Sequence, residues 1–340
     1  MELRNLNVLH LPYGAAMIDI CSALRQKGIQ ATSCHLYSNR YNFKPDICMN
    51  LQNVQKGKRE NKIHEIIKDA IKDYDVFHFH FGETFLPDKS DLEILKKANK
   101  KLVVHHHGSE VRTLTMARSF NNPYVLVKPQ WTEDLIHKNL TLLSNYIDHA
   151  IVQDHELEPY IRNYYKNIHV IPNAVNLDDF SPIYPKNPNS IPLVVHAPTS
   201  RDLKGTEFVL NAVEQLKNSG LRFNFKLIEQ MSFQEAKNLM EKADIVIDQL
   251  RIGAYGFVST EAMAYGKAVI CYIRDDLMKK YPEVLPVANA TPKTIRGVLE
   301  NLITDPKKCR ELGMNSRKYV EKNHNIQKSV EKYINIYNQL

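Results

Sequence analysis

Short apolar runs bounded by turn residues recur along the chain, and most are separated by stretches with helical spacing. In the first half, Asn7 to Leu11, Val76 to Phe81, Leu102 to His106, Ala150 to Gln153 and His169 to Ile171 are predicted strands. Ala15 to Gln26, Asn61 to Lys72 and Asp91 to Lys100 are predicted helices between them. The segment SPIYPKNPNSIP, residues 181–192, carries four prolines and reads as a linker, because proline lacks a donor and discourages helix. The pattern then restarts. Leu193 to Ala197, Phe223 to Ile228, Ile245 to Asp248 and Val269 to Ile273 are predicted strands, with Thr206 to Asn218 and Phe233 to Lys242 as helices. Continuous apolar strands alternating with helices imply parallel sheets covered on both faces. The expected class is α/β, with two Rossmann-like domains in series. Ligands are expected at the carboxyl ends of the strands, and facing strand ends would form an interdomain cleft. Ser316 to Leu340 has helical spacing, with Val330, Tyr333, Ile334 and Tyr337 on one face.

Composition narrows the class. A length of 340 residues suits roughly two domains of ~150 residues each. Five scattered cysteines, Cys21, Cys34, Cys48, Cys271 and Cys309, form no CxxC pair and point to a reducing compartment. No apolar run approaches a membrane span and no basic-then-apolar leader opens the chain, so a cytoplasmic protein is expected. A net charge of +7 is mild and lacks a nucleic-acid motif, so no nucleic-acid partner is expected. Lys56, Lys58, Arg59, Lys62, Lys68 and Lys72 crowd one predicted helix. The simple reading is a solvated face; the other is weak peripheral contact with anionic lipid at the inner membrane surface.

The candidate chemistry is concentrated in Gly253 to Ile273, a glycine turn, a short helix over Val258 to Tyr265, a glycine stop and a strand. Gly253 and Gly256 remove side chains from the turn, and a helix N-terminus offers free N–H groups and a positive dipole end to an anion. Glu261 on that helix can reach a hydroxyl near a bound phosphate. Phosphate plus hydroxyl recognition suggests a nucleotide sugar; an ordinary strand connection is the alternative. Arg201 and Lys204 lie between a predicted strand and helix. Cations there oppose the helix dipole, and a diphosphate bridging both would relieve the conflict.

The stretch resembles the donor-binding signature of retaining family 4 glycosyltransferases, of GT-B fold. That signature has two glutamates with seven residues between them around a glycine–aromatic–glycine turn, the second followed by Ala-Met-Ala, a variable residue and Gly. Tyr255-Gly256, Glu261-Ala262-Met263-Ala264 and Gly266-Lys267 match. The first glutamate is replaced by Gly253, and the Pro-Ser that usually follows Ala243-Asp244-Ile245-Val246-Ile247 is replaced by Gln249-Leu250. The resemblance implies an acceptor domain over 1–180, a nucleotide-sugar domain over 193–320 and a terminal helix, 321–340, crossing back to the first domain.

It also implies metal-independent transfer of a hexosyl unit from a nucleoside diphosphate sugar, with no further cofactor, to a glycan, lipid-linked or small hydroxyl acceptor, in glycan or glycoconjugate synthesis. Arg201, Lys204 and helix-start amides would stabilise the leaving diphosphate. Glu261 would hold ribose hydroxyls, and the amides of Gly253 and Ala254 would substitute for the missing glutamate. His107 would face the transferred sugar, and His80 resembles the histidine ending the preceding strand. Gly14, after the first strand, would admit phosphate or sugar to the backbone. The acceptor is expected on the first domain near Thr113 to Gln130. The family's extra nucleobase-holding turn and strand are missing between Ile228 and Ala243, so the base is not readable. Two alternatives stay open. His78, His80, His105, His106 and His107 suit a metal-dependent hydrolase, and loss of the first glutamate suits a non-catalytic sugar-nucleotide-binding partner.

Overall fold

A computed structural model describes residues 6–39, 43–185 and 191–340. Residues 186–190 of the proline-rich linker lie outside the described residues. In chain order the elements are β1 (Asn7–Leu11), α1 (Ala15–Gln26), β2 (Gln30–His35), β3 (Ile47–Cys48), α2 (Arg59–Asp73), β4 (Val76–His80), α3 (Asp91–Lys97), β5 (Lys101–His106), α4 (Leu114–Ser119), α5 (Glu133–Ser144), β6 (His149–Val152), α6 (Glu158–Ile161) and β7 (Asn167–Val170). They continue as β8 (Leu193–His196), α7 (Arg201–Lys204), α8 (Thr206–Asn218), β9 (Asn224–Leu227), α9 (Phe233–Lys242), β10 (Ile245–Ile247), α10 (Phe257–Ala264), β11 (Ala268–Cys271), α11 (Asp275–Met278), β12 (Ala288–Asn289), α12 (Ile295–Thr304), α13 (Pro306–Asn323) and α14 (Ile326–Gln339).

The chain divides into two units. The first takes Met1–Thr113, Pro129–Pro172 and Ile326–Leu340. Its sheet has the order β3-β2-β1-β4-β5-β6-β7, and every pair is parallel. The order reverses between β1 and β4, where a ligand crevice is expected in a doubly wound sheet. Register does something specific at this point. His10 is opposite His78, and His80 is opposite His105. Side chains alternate along a strand, so His10, His78, His80, His105 and the following His107 share one face. Tyr333 and Tyr337 of α14 cover it: the Tyr337 hydroxyl lies 2.8 Å from His78 Nδ1 and 3.1 Å from His10 Nε2. His106 points to the other face, against Tyr165.

The second unit takes Leu114–Lys128 and Asn173–Asn325. Its sheet, β12-β11-β10-β8-β9, is also parallel throughout and reverses between β8 and β10. Val195, Val246, Val269 and Cys271 pack into one core layer with residues of α10 and α13, while Val194, Ile245, Ile247 and Ile270 pack into another with α8 and α12. The inner strands β8, β10 and β11 are therefore buried on both sides, which is why they read as unbroken apolar runs.

Three expectations need correction. Ser316 to Leu340 is not one helix. It breaks at His324, whose Nδ1 lies 2.5 Å from the Asn173 carbonyl and whose own carbonyl accepts the Val175 N–H at 2.9 Å. Arg201 to Lys204, expected only as the connection between a strand and a helix, is itself a single helical turn, ended by Gly205. Thr113 to Gln130, where the acceptor is expected on the first domain, does not lie wholly in the first unit. Residues 114–128 contain α4 and group with the second, because Asn122 Nδ2 donates to the carbonyls of Arg251 and Ile252 at 2.7 and 3.0 Å and Arg251 Nη1 donates to the Tyr124 carbonyl at 3.0 Å.

Candidate functional site

In the second unit the residues of interest meet at the carboxyl ends of β8 and β10. Lys204, closing the one-turn helix after β8, points at Asp248, the residue after β10. Lys204 Nζ is 2.6 Å from Asp248 Oδ1. The other carboxylate oxygen accepts the Gly256 N–H at 3.1 Å and the Ser259 hydroxyl at 2.7 Å. Asp248 thus caps the N-terminus of α10, where negative charge suits the helix dipole. Burial opposes its ionisation, but the Lys204 ammonium, Ser259 and the Gly256 amide hold the carboxyl below its ordinary range. Beneath this group, His196 lies 2.8 Å from the Ile247 carbonyl through Nδ1 and 2.9 Å from Thr206 Oγ1 through Nε2. Burial, the first cause, keeps it neutral and lowers its pKa to about 4. The Nδ1 proton then faces the carbonyl, and Nε2 accepts the Thr206 hydroxyl.

Lys204 and Arg201 therefore already have carboxylate partners. Arg201 forks onto Glu229, with Nε 2.8 Å from Oε1 and Nη2 2.5 Å from Oε2, at an exposed position. The conflict with the helix dipole expected of both cations is relieved by these partners, neither of which the sequence reading had assigned.

The glycine turn is built as expected and held more firmly. Gly253 has φ +85°, and a Cβ there would lie 2.3 Å from Arg274 Cγ. A glutamate at 253 would meet both a left-handed backbone and the Arg274 side chain, so this sequence's departure from the family signature has a local cause. Arg274 is fixed in turn: its N–H donates to the Gly253 carbonyl at 2.8 Å, and its guanidinium lies over Phe120. Ala254 is buried and its carbonyl accepts from Gln249 Nε2. Tyr255 is also buried, with its hydroxyl 3.1 Å from His324 Nε2. Glu261 lies on α10 and is partly exposed.

In the first unit the site residues gather at the carboxyl ends of β1, β4 and β5. His80 Nδ1 and His107 Nε2 are 3.1 Å apart, and His80 Nε2 and His10 Nδ1 are again 3.1 Å apart. The His107 ring stacks on Phe81 at 4.1 Å, and Phe81 stacks on Tyr13 at 4.7 Å. Gly14, with φ +133°, admits the Phe81 ring to 3.2 Å of where a Cβ would stand. Phe81 itself has φ +60°, a left-handed conformation that costs a bulky residue about 1–3 kcal/mol and clusters at functional sites. His107 is held at both ends of its peptide: its N–H donates to Glu110 Oε1 at 2.5 Å and its carbonyl accepts from Gln153 Nε2 at 2.9 Å. Burial drives the His107 pKa down to about 4, with Glu110 opposing. Burial would raise the Glu110 carboxyl, but His106 and His107 draw it down to about 2.

Sequence reasoning gave no site role to Asp248, Glu229, Ser259, Phe81 or Tyr337. A signal for Asp248 was present: an acidic residue directly after an apolar strand stands where a doubly wound sheet places its ligands.

Two all-parallel α/β units, each with a strand-order reversal, define the GT-B class of Rossmann-like folds. No family model matches the chain, and no curated protein matches it in sequence. Solved structures do match the fold. Sucrose-phosphate synthase from Thermosynechococcus elongatus is 16% identical, with 98% of each chain covered and a TM-score of 0.68. HepE of Anabaena, solved in complex with UDP-glucose, is 14% identical, with 99% of this chain and 100% of that one covered and a TM-score of 0.69. The UDP-GlcNAc 2-epimerase of Neisseria meningitidis, solved with UDP-GlcNAc, is 15% identical, with 98% of this chain and 99% of that one covered and a TM-score of 0.57.

Proposed function

We propose that this chain is a retaining glycosyltransferase that moves a hexosyl unit from a nucleoside diphosphate sugar to a hydroxyl acceptor in glycan or glycoconjugate synthesis. The observation that carries the reading is the constellation of Lys204, Asp248, Gly256 and Ser259 at the reversal between β8 and β10, next to a helix that bears Glu261. The likeness to HepE supports a nucleotide-sugar donor, and UDP-glucose is the first donor to test.

In this scheme the donor diphosphate lies by Lys204 and the start of α10. Lys204, Arg201 and the turn amides stabilise charge as the glycosidic bond breaks, an electrostatic contribution in the manner of an oxyanion hole. Asp248 orients Lys204, so the ammonium is placed before the donor arrives. Glu261 holds ribose hydroxyls. The amides of Gly253 and Ala254 serve the sugar where the family uses a glutamate. His107, kept neutral, accepts or donates one hydrogen bond to the transferred sugar, with His80 and Gly14 supporting that end. The step itself uses no metal. The acceptor class is a glycan, lipid-linked or small hydroxyl compound, and the setting is cytoplasmic, at the inner face of the membrane when the acceptor is lipid-linked. No helix among the described residues is long and apolar enough to cross a membrane.

The test is direct. Purified protein is screened against nucleoside diphosphates and their hexoses by thermal shift, where a ligand at 100 times its Kd adds ~2.7 kcal/mol. Positive donors are then incubated with hydroxyl acceptors, and the product is read by mass and by the anomeric configuration in NMR. A retained configuration supports the proposal. A donor that is only epimerised, with no acceptor glycosylated, rejects it in favour of the epimerase relatives.

A further inference from the structure

The histidine face of the first unit contains one ring without a role. His105 is 4% exposed, yet neither of its ring nitrogens makes a hydrogen bond among the described residues. A neutral imidazole carries one N–H and one lone pair, so both a donor and an acceptor are buried unmet. Each such group typically costs about 1–3 kcal/mol, and native structures contain few of them. His105 stacks on His107 with centroids 4.4 Å apart and lies 5.4 Å from His80. His80, His105 and His107 each offer a ring nitrogen, and the three atoms lie within 4.8 Å of one another.

We propose that His80, His105 and His107 form a three-imidazole site for a borderline divalent transition metal of the Zn2+ type. Imidazole is the ligand such ions favour, and three protein ligands with an open fourth position make a familiar zinc arrangement. The His80 and His107 nitrogens, 3.1 Å apart, stand near the ligand–ligand spacing of about 3.3 Å that a tetrahedral zinc–nitrogen sphere requires. His105 would supply the third nitrogen and thereby satisfy one of its two unmet atoms. Burial keeps all three rings neutral, the form that binds metal. The set holds no carboxylate, but Glu110, bonded to the His107 backbone, places a negative charge alongside. His107 is partly exposed, which gives an ion a way in. The neighbouring set of His10, His78 and His80 is a weaker candidate, because the Tyr337 hydroxyl already engages His10 and His78. The proposed site shares His80 and His107 with the sugar end of the transfer reading but does not rest on that reading, since its readout is metal binding.

The test uses the full chain after removal of metals by chelator and dialysis. Co2+ is titrated in and followed by its visible ligand-field absorption, then displaced with Zn2+. The expected result is one equivalent bound with the intense bands of a low-coordinate site, and a rise in Tm. His105→Leu should abolish the bands and the metal-dependent rise in Tm, while its metal-free Tm stays equal to or above that of the parent, since two unmet polar atoms are removed. His107→Ala, at a partly exposed position, should weaken Co2+ binding by at least about 100-fold, more than the loss of an outer supporting residue costs. The surface variant His137→Ala should leave binding unchanged. The proposal is overturned if the parent protein shows no low-coordinate Co2+ spectrum. It is equally overturned if His105→Leu and His107→Ala both bind Co2+ like the parent.

Discussion

Lys204 reaches the glycine turn through Asp248. The ammonium holds one carboxylate oxygen at 2.6 Å, and the other holds the Gly256 N–H and the Ser259 hydroxyl. A side chain that looks in sequence like a free cation awaiting phosphate is thus half of a buried pair, with 12% of Lys204 and 0% of Asp248 exposed.

That pairing changes what a Lys204 variant reports. Lys204→Ala leaves Asp248 ionised, buried and without its cation, and is expected to cost about 3–5 kcal/mol of stability. Lys204→Met with Asp248→Asn removes both charges and should recover most of the loss, with a coupling energy measured by urea denaturation of the parent, Lys204→Met, Asp248→Asn and the double variant. In the double variant, affinity for a nucleoside diphosphate should fall more than affinity for the nucleoside, as read by calorimetry. Equal losses for both ligands would remove Lys204 from the diphosphate site.

Glu261→Ala should act on ligand and leave the fold intact, because Glu261 is partly exposed on α10. Loss of a charge-assisted hydrogen bond costs ~1.5–3 kcal/mol, so donor affinity or kcat/KM should drop by roughly 10- to 150-fold. Unchanged donor kinetics in a folded variant would exclude it.

Gly253→Glu would restore the family's acidic residue in name only. With φ +85° and Arg274 Cγ 2.3 Å from the new Cβ, the turn must deform. The expected outcome is a loss of at least about 1–3 kcal/mol in stability and weaker donor binding. A stable variant with improved turnover would show that the turn accommodates the side chain.

Transfer should withstand EDTA. The proposed chemistry rests on Lys204, Arg201 and backbone amides, and a metal at the histidine face would compete for the ring proposed to meet the sugar. Activity abolished by chelator and restored by a divalent ion would contradict the electrostatic scheme.

Acid should destabilise the second unit through His196. Its pKa is about 4 when folded and about 6.5 when unfolded, so below pH 6.5 the unfolded chain binds the extra proton. The stabilisation is complete above pH 6.5 and is lost as pH falls toward 4, at about 1.4 kcal/mol per pH unit. His196→Gln should flatten that part of the stability profile relative to the parent, as followed by the urea midpoint between pH 7 and 5. An unaltered slope would show that other groups govern it.

The parts of this molecule that are local in the chain were legible. The glycine turn feeding α10 and the strands from Val76 and Ile245 follow from period and punctuation within about ten residues. What escaped was set by distance. Asp248 finds Lys204 across 44 residues, and Arg251 finds Tyr124 across 127, so nothing near residue 120 announces that the segment joins the second unit. β2, with the sequence QATSCH, has too few apolar residues to signal a strand; its place beside β1 supplies the pairing. The break between α13 and α14 likewise comes from Asn173 and Val175, which bind His324 from 151 and 149 residues away.

Tyr337 of α14 bonds to His10 and His78 across 327 and 259 residues of chain. A ribosome working from the amino terminus therefore delivers the histidines of the first sheet long before the tyrosine that closes over them. The nascent first unit would keep its imidazole face open until both sheets have been made, and emergence of α14 would be the event that seals it. A stop codon between Asn289 and Tyr337 would deny the first sheet its lid while leaving every strand of both described sheets encoded.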